Sequence, residues 1–187
     1  MDRWTRTHQA LSDAALTLFA ERGYDATGTA EIAARAGVSE MTLFRHFPSK
    51  EALLLDDPFD PLMAEAVSAR PAGEPAMRAL TSGIGDVWSG IDADAAGALR
   101  ARLRIVAAAS GLHGAIERSS AATAEALVVA LQQRGSSATT ARVAASAVIS
   151  GLSVALLAWA QSDQPDPGPA LMAALDVLGG GDDAPIR

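Results

Sequence analysis

Residues 23–53 constrain the fold of this chain more than any other segment, because they carry the signals of two short helices joined by a tight turn. Gly28 is a tolerated N-cap, and Glu31, three positions later, can accept a hydrogen bond from the backbone N–H of the cap. Gly37 suits the left-handed backbone that ends a helix, and Ser39 can cap the next helix. The segment therefore predicts a helix-turn-helix, an arrangement that reads DNA in many proteins.

The second short helix is expected from Glu40 to about Phe47, with Leu43 and Phe47 on its buried side at spacing i, i+4. This leaves the following residues for the outward side: Glu40, Met41, Thr42, Arg45 and His46. Pro48 should end the helix. Ser49 can then cap a further helix, whose first turn would present Lys50 and backbone N–H groups to a phosphate.

The string from Gly23 to Leu53, GYDATGTAEIAARAGVSEMTLFRHFPSKEAL, resembles the DNA-binding half of the tetracycline-repressor (TetR) family of bacterial transcriptional regulators. The family pattern runs close to GYxATT and then IAxxAGVSxxTLYxHFxSKExL, and the match stays in register. Upstream, apolar residues from Leu11 to Phe19 follow helical spacing, as in the first helix of the family. The resemblance thus covers roughly the first 55 residues.

The resemblance implies roles for individual residues. The positions that usually contact phosphates are Thr27, Thr42, His46 and Lys50, and those that read bases are Glu40, Met41, Thr42 and Arg45. Three departures stand out. Phe44 replaces the usual Tyr and keeps only its ring packing, while Gly28 and Thr29 replace a usual Ser or Thr cap and a usual Val, which softens the start of the helix.

Composition predicts an all-α fold: alanine is abundant, aromatic residues make up 4% of the chain, and no segment alternates with period two. The N-terminal three-helix domain is expected over residues 1–50, and a helical bundle for ligand binding and dimerisation over residues 51–187. The absence of cysteine excludes disulfides and thiolate chemistry. The first residues lack the apolar core of a signal peptide, so a cytoplasmic location is expected.

Charge is distributed unevenly. The chain carries a formal net charge of −7, but residues 1–50 hold six basic and six acidic side chains and are therefore neutral. Residues 51–187 therefore carry the negative charge and would be repelled by DNA, which would help to orient the neutral residues 1–50, here called the head, toward it. A neutral head also implies modest non-specific affinity, so dimerisation would be needed for useful binding.

Residues 143–162 are uncharged and apolar, and this segment is long enough to cross a bilayer. Three serines before Leu156, a glutamine near the end, the absence of a flanking basic cluster and the following Pro-rich loop favour instead a helix buried on nearly every side, and no membrane partner is expected. Small residues recur every four positions along it. The resemblance implies that this helix and the last one, near 169–178, form a homodimer through Ala147, Gly151, Ala155, Leu171 and Leu175.

The resemblance also implies a small-molecule effector site in the C-terminal half. The candidate lining residues are scarce aromatic, Met and similar side chains on inward helical faces, although such residues are more often ordinary core. They are Phe59, Met63, Met77, Trp88, Leu103, His113 and Trp159.

No catalytic constellation, metal-ligand spacing or Gly-rich phosphate loop is evident, so neither an enzyme nor a cofactor is expected. The leading prediction is a sequence-specific regulator, with repression the expected sense. It would bind a near-palindromic double-stranded DNA operator as a homodimer and be released by a small molecule. The alternative is a helical small-molecule or partner-binding protein whose helix-turn-helix is weakened by Phe44 and Gly28; the third reading is a membrane-associated protein using residues 143–162.

Overall fold

The computed structural model describes residues 2–56 and 59–180, apart from the side chains of Ser110 and His113. Every regular element in these ranges is helical, which confirms the all-α prediction there. The chain divides into two compact units. The first contains residues up to Asp56 together with Ala98–Ile116, and the second contains Asp57–Gly97 and Glu117–Arg187.

The first unit opens with four helices: α1 (Arg3–Arg22), α2 (Thr29–Arg35), α3 (Glu40–His46) and α4 (Ala52–Leu55). It also takes in the end of α7 (Ala93–Ala108), a 3-10 turn (Ser110–Leu112) and the start of α8 (His113–Gln133). One apolar core holds these parts together, and it includes Leu11, Phe19, Ile32, Leu43 and Leu112. The unit that contains the predicted DNA-binding domain therefore also contains a segment from the middle of the chain.

The second unit contains α5 (Phe59–Ser68), α6 (Ala76–Trp88), most of α8, α9 (Ala138–Ala160) and α10 (Gly168–Leu178). Helix α6 packs on α5, α9 and α10, and α9 packs on α10. Gly83 allows the close approach of α5, because a Cβ there would lie 3.1 Å from the backbone nitrogen of Val67. Arg134 fixes the loop after α5 by donating to the carbonyl oxygens of Arg70, Pro71 and Glu74.

Helix α9 is less enclosed than its sequence predicts. It is long and apolar enough to cross a membrane by length and composition, yet only 33% of its most apolar window is buried inside the protein. Val143 and Val154 are 66% and 71% exposed. The expectation of burial on nearly every side is therefore wrong for the single chain, because its own helices cover one face of α9 only.

The predicted dimer residues are divided between inner and partly covered positions. Leu171 and Leu175 are buried within the chain, so they pack α10 on its own unit and are not available to a partner. Gly151 is partly buried and lies against Leu178, since a Cβ on Gly151 would come within 2.9 Å of a Leu178 methyl. Ala147 and Ala155 are half-buried. The exposed apolar side chains of α9 and α10 lie elsewhere: Val143, Val154, Met172 and Val177.

Candidate nucleic-acid interface

The connection between α2 and α3 is set by local backbone chemistry. Gly37 has φ +70°, its N–H donates to the Ala34 carbonyl at 3.1 Å, and the Val38 N–H donates to the Ala33 carbonyl at 3.0 Å. This pair of hydrogen bonds is the Schellman arrangement that ends a helix on a left-handed residue. Ser39 then caps α3 by accepting from the Thr42 N–H at 3.2 Å. The predicted helix-turn-helix is confirmed in these details.

Helix α2 begins on a partial cap. Gly28 offers no side-chain oxygen, but its own N–H donates to Glu31 Oε2 at 3.1 Å. The other oxygen of Glu31 accepts from Arg22 at 2.9 Å. One carboxylate thus holds the start of α2 and ties it to the end of α1, as the sequence predicts for Glu31 but not for Arg22.

Helix α3 has one buried and one open side. Leu43 is fully buried and Phe47, which follows the helix, is 2% exposed, as predicted from their spacing. On the opposite side Met41 is 78% exposed and Phe44 46% exposed. Arg45 is also exposed and has no ion-pair partner among the described residues. The helix therefore presents an apolar and a cationic side chain to solvent from a fixed backbone.

Glu40 has a contact that the sequence does not reveal. Its carboxylate accepts a hydrogen bond from the Thr29 hydroxyl at 2.5 Å, which joins the first turns of α2 and α3. Glu40 is exposed and Thr29 is half-buried. The replacement of the usual Val by Thr29, predicted to loosen α2, instead supplies a cross-link to the second helix of the motif.

Thr27 was predicted to contact phosphate, but its side chain is 1% exposed. Its hydroxyl donates to the carbonyl oxygens of Gly23 and Leu18, at 2.9 and 3.3 Å. This prediction is corrected for the hydroxyl: Thr27 ties the loop between α1 and α2 to the end of α1 from inside, through one carbonyl of the helix and one of the residue that follows it.

His46 was predicted to face outward, and the structure places it half-buried. Its ring lies 4.8 Å from that of Trp4 and 5.8 Å from that of His8 on α1, between ring centroids. Its Nδ1 is buried without a hydrogen-bond partner. Burial lowers the pKa of His46, and the neighbouring His8 and Arg45 lower it further. Its outward placement is therefore corrected, because α1 covers the end of α3.

Lys50 lies before α4, in the turn where Ser49 accepts from the Ala52 N–H at 3.3 Å. Its ammonium is 4.2 Å from the centre of the Tyr24 ring, a cation–π contact. Burial raises the pKa of Tyr24 to about 12, with Glu51 and Asp25 adding to the shift. Lys50, the residue predicted to bind a phosphate, thus lies against an aromatic ring of the α1–α2 loop, a contact that only the folded arrangement reveals.

Four of the predicted effector residues, Phe59, Met63, Trp88 and Trp159, take part in the packing of the second unit. Phe59 stacks on Trp88 at 4.8 Å, Met63 is buried, and the Trp159 indole donates to the Gln164 carbonyl at 2.9 Å. Met77 is half-buried. Leu103 belongs to the first unit, so the structure does not place it in this packing. The His113 side chain lies outside the described residues.

Two open clefts are found within the units, and none of the predicted effector residues lines either one. A cleft of about 330 Å³ in the second unit is bordered by polar residues of α6 and the end of α10, among them Thr81 and Asp176. A cleft of about 660 Å³ lies in the first unit, between the end of α1 and α7. Among the described residues no group of three or more His, Asp or Glu side chains is placed to hold a metal ion.

The capped α2–turn–α3 unit, packed on α1, defines a helix-turn-helix protein with the exposed side of its second helix available to DNA. Residues 11–56 match the model of the tetR family of bacterial regulatory proteins. This segment therefore carries the DNA-binding region of that family, and the resemblance predicted from residues 23–53 is confirmed.

Two relatives and one solved structure extend the comparison. The chain is 36% identical over 114 residues to the HTH-type transcriptional regulator TcmR of Streptomyces glaucescens, covering 57% of this chain and 50% of TcmR. It is 48% identical over 48 residues to the uncharacterised HTH-type transcriptional regulator YvkB of Bacillus subtilis, covering 26% of this chain and 25% of YvkB. The matches thus span half or less of these relatives.

The structure resembles SmeT, the repressor of the Stenotrophomonas maltophilia multidrug efflux pump SmeDEF. The TM-score is 0.59 at 19% identity, over 95% of this chain and 91% of SmeT. At this identity the likeness concerns the fold alone. It includes both the helix-turn-helix and the helices that follow it.

Proposed function

We propose that this chain is a sequence-specific transcriptional regulator that binds a near-palindromic DNA operator as a homodimer. We further propose that it acts as a repressor, is released by a small molecule and works in the cytoplasm. The observation that carries the proposal is the geometry of α3: its inner side chains are buried, while Met41 and Arg45 are exposed on a backbone fixed by the Gly37 turn and the Ser39 cap.

Sequence reading is assigned to the open side of α3. Arg45 can donate two hydrogen bonds to the O6 and N7 atoms of guanine, and Met41 can pack on a thymine methyl group. The ring of Phe44 can pack on the sugar-phosphate backbone without a hydroxyl contact. Glu40 remains a candidate acceptor for the amino group of cytosine, and its carboxylate would then accept both from that group and from the Thr29 hydroxyl.

Backbone contacts are assigned to Thr42, Lys50 and His46. The Lys50 ammonium lies 4.2 Å from the centre of the Tyr24 ring and can bind a phosphate without leaving it, since a cation can contact a ring face on one side and a phosphate on another. Residues 1–50 are electrically neutral, so each head has few such contacts. Two heads in one complex double the number of neutralised phosphates, and this favours a dimer.

The partner surface is assigned to the exposed apolar face of α9. Val143, Ala147 and Val154 lie on one side of this helix, since four residues make about one turn and eleven make about three. Such a face is unusual on a monomeric soluble protein and typical of an interface. A second copy with two-fold symmetry would cover it, and the two copies of α3 would then read half-sites that we propose lie about 34–36 Å apart, one turn of DNA. Because the partner would cover the exposed apolar face of α9, a membrane is not required to shield that face from water.

Release by a ligand is supported by the likeness to SmeT, which is a repressor and has been solved in complex with triclosan. For this chain the requirement is thermodynamic. A ligand lowers DNA affinity only if it binds the DNA-free arrangement more tightly than the DNA-bound one. The alternative of a decayed helix-turn-helix is disfavoured, because the cap of α2, the turn and the cap of α3 are all formed.

A mobility-shift experiment tests the proposal. DNA that flanks the gene of this protein is titrated at low salt in the presence of excess non-specific competitor. Retention of a defined fragment, with two protomers per DNA molecule, supports a dimeric regulator. Binding that the competitor abolishes, or no retention at all, contradicts sequence-specific recognition.

A further inference from the structure

The cleft of about 660 Å³ in the first unit has the size of a small-molecule site. It lies between the end of α1, the loop that follows it, and the second half of α7. Its apolar surface comes from Phe19, Tyr24, Ile105 and Ala108. Phe19, Tyr24 and Ile105 are 2%, 8% and 9% exposed and Ala108 is exposed, so the body of a ligand would contact the rings and the aliphatic chain over small areas.

Charged side chains also line this cleft. Arg22 and Arg104 line it from opposite elements, and Asp25 is the one carboxylate among its lining residues. Each guanidinium matches the geometry of a carboxylate or sulfonate, and an anionic group can pair with either one by exchange for its present partner. The pair of Arg22 with Glu31 is exposed, at 55% and 49% for the two side chains, so water screens it and Arg22 can exchange partners.

We propose that this cleft binds a small organic anion with an aromatic or aliphatic body. The body lies against Phe19, Tyr24 and Ile105, and the anionic group pairs with Arg104 and Arg22. This site is distinct from the effector residues predicted in the second half of the chain. It uses the first unit only and does not depend on DNA binding.

The position of Arg22 gives occupancy a local consequence. Glu31 accepts from Arg22 with one oxygen and from the Gly28 N–H with the other. An anion that takes Arg22 competes directly with the residue that holds the start of α2. Because Gly28 has no side chain, no second cap stands in for Glu31.

A pair of dyes tests the ligand class. One is 8-anilinonaphthalene-1-sulfonate, and the other is N-phenyl-1-naphthylamine, which is the same aromatic body without the sulfonate. Fluorescence titrations of the full chain give a Kd for each. In Arg104→Gln we expect the Kd of the sulfonate to rise about tenfold and that of the neutral dye to stay within about twofold. Equal changes for both dyes would overturn the anion pairing.

A second pair of variants tests the place of binding. Ala108→Trp fills the cleft, while Ala107→Trp adds the same ring at the neighbouring exposed position, which does not line it. We expect the first variant to raise the Kd of the sulfonate at least about tenfold and the second to leave it within about twofold. Unchanged affinity in Ala108→Trp would place the dye elsewhere, including the open face of α9, and would overturn the site. Both readouts are independent of DNA, so they fail separately from the proposed function.

Discussion

Arg45 is the residue on which base reading depends most directly. If it contacts a guanine, Arg45→Ala should remove the preference at one operator position and cost about 1–3 kcal/mol of binding free energy. Competition binding with single-base operator variants measures both effects. Arg35→Ala is a matched control, because Arg35 is an exposed arginine of α2 paired with Glu21. An equal loss on every sequence would assign Arg45 to the phosphate backbone instead.

His46 should make the stability of the first unit depend on pH. Its pKa is lowered in the folded chain, first by burial and then by His8 and Arg45, so the unfolded chain binds the proton more tightly. The contribution of His46 to stability is therefore complete above its unfolded pKa of about 6.5 and is lost as pH falls toward the folded pKa.

Urea unfolding at pH 7.5 and 5.5 measures this dependence. The free energy of unfolding of the natural chain should fall between the two values, and the fall should be smaller in His46→Gln. Comparing the difference between the two pH values cancels any general destabilisation by the substitution. An identical fall in both proteins would show that His46 does not titrate abnormally.

Sequence reasoning at this scale succeeds where a residue depends on its own helix. Leu43 and Phe47 are buried as their spacing predicts. Thr27 and His46 were placed wrongly because their surroundings come from other parts of the chain: the hydroxyl of Thr27 donates to carbonyls at the end of α1, and the rings of Trp4 and His8 of α1 lie against His46. No local pattern in the sequence encodes these contacts.

Among the helices, α2 has the weakest start, and a single substitution should strengthen it. Gly28 has φ −93° and ψ 152°, a conformation open to any residue, and a Cβ there would meet only Glu31 Oε2 at 3.8 Å. Gly28→Ser should add a side-chain cap and reduce the entropy of the unfolded chain, for about 0.5–1 kcal/mol of stability.

Thermal unfolding of Gly28→Ser checks this expectation, with Gly73→Ser as control. Gly73 lies in a loop, and a Cβ there meets nothing within 4 Å, so the control carries the entropy effect without the cap. The Tm of Gly28→Ser should exceed that of the control. Equal values would mean that Glu31 already satisfies the start of α2.

The turn between α2 and α3 could be predicted completely because its chemistry is local: Gly37 provides the left-handed residue and Ser39 the cap. Helix α9 shows the opposite case. Its composition suits burial, a membrane or an interface equally, and only the packing of α6 and α10 decides which face stays open. The extent of an apolar helix can be predicted from sequence, but its neighbours cannot.

For the whole molecule, the sequence is least able to predict which distant segments of the chain join into one compact unit. The joining of Ala98–Ile116 to the head required contacts across more than forty residues of chain, which periodicity cannot supply. The assignment of DNA binding to residues 1–50, and of ligand binding and dimerisation to residues 51–187, stays a prediction. The division of the fold itself falls at Asp56 and includes the later segment.

The exposed face of α9 should hold the dimer together. Val154→Glu places a charge at a position that is 71% exposed in the single chain, so folding should persist while association weakens. Sedimentation should report a dimer for the natural chain and monomers for the variant, with unchanged helicity. A charge at Gly151 is a poorer probe, because a larger residue there disturbs the contact with Leu178 within the chain.

Val129→Glu is the matched control for the assembly test. Val129 is a 45% exposed valine on α8, outside the helix to which the partner surface is assigned. It should leave the dimer intact. Dimers that persist in Val154→Glu, or are lost equally in both variants, would move the interface away from α9.

The central claim is that two copies of α3 read one duplex, and selection from a random DNA library tests it most directly. The purified full chain should enrich a near-palindromic motif whose half-sites lie about one helical turn apart, and Arg45→Ala should lose one position of that motif. A chain that is folded and dimeric yet enriches no motif, or enriches the same motif in Arg45→Ala, would contradict the account.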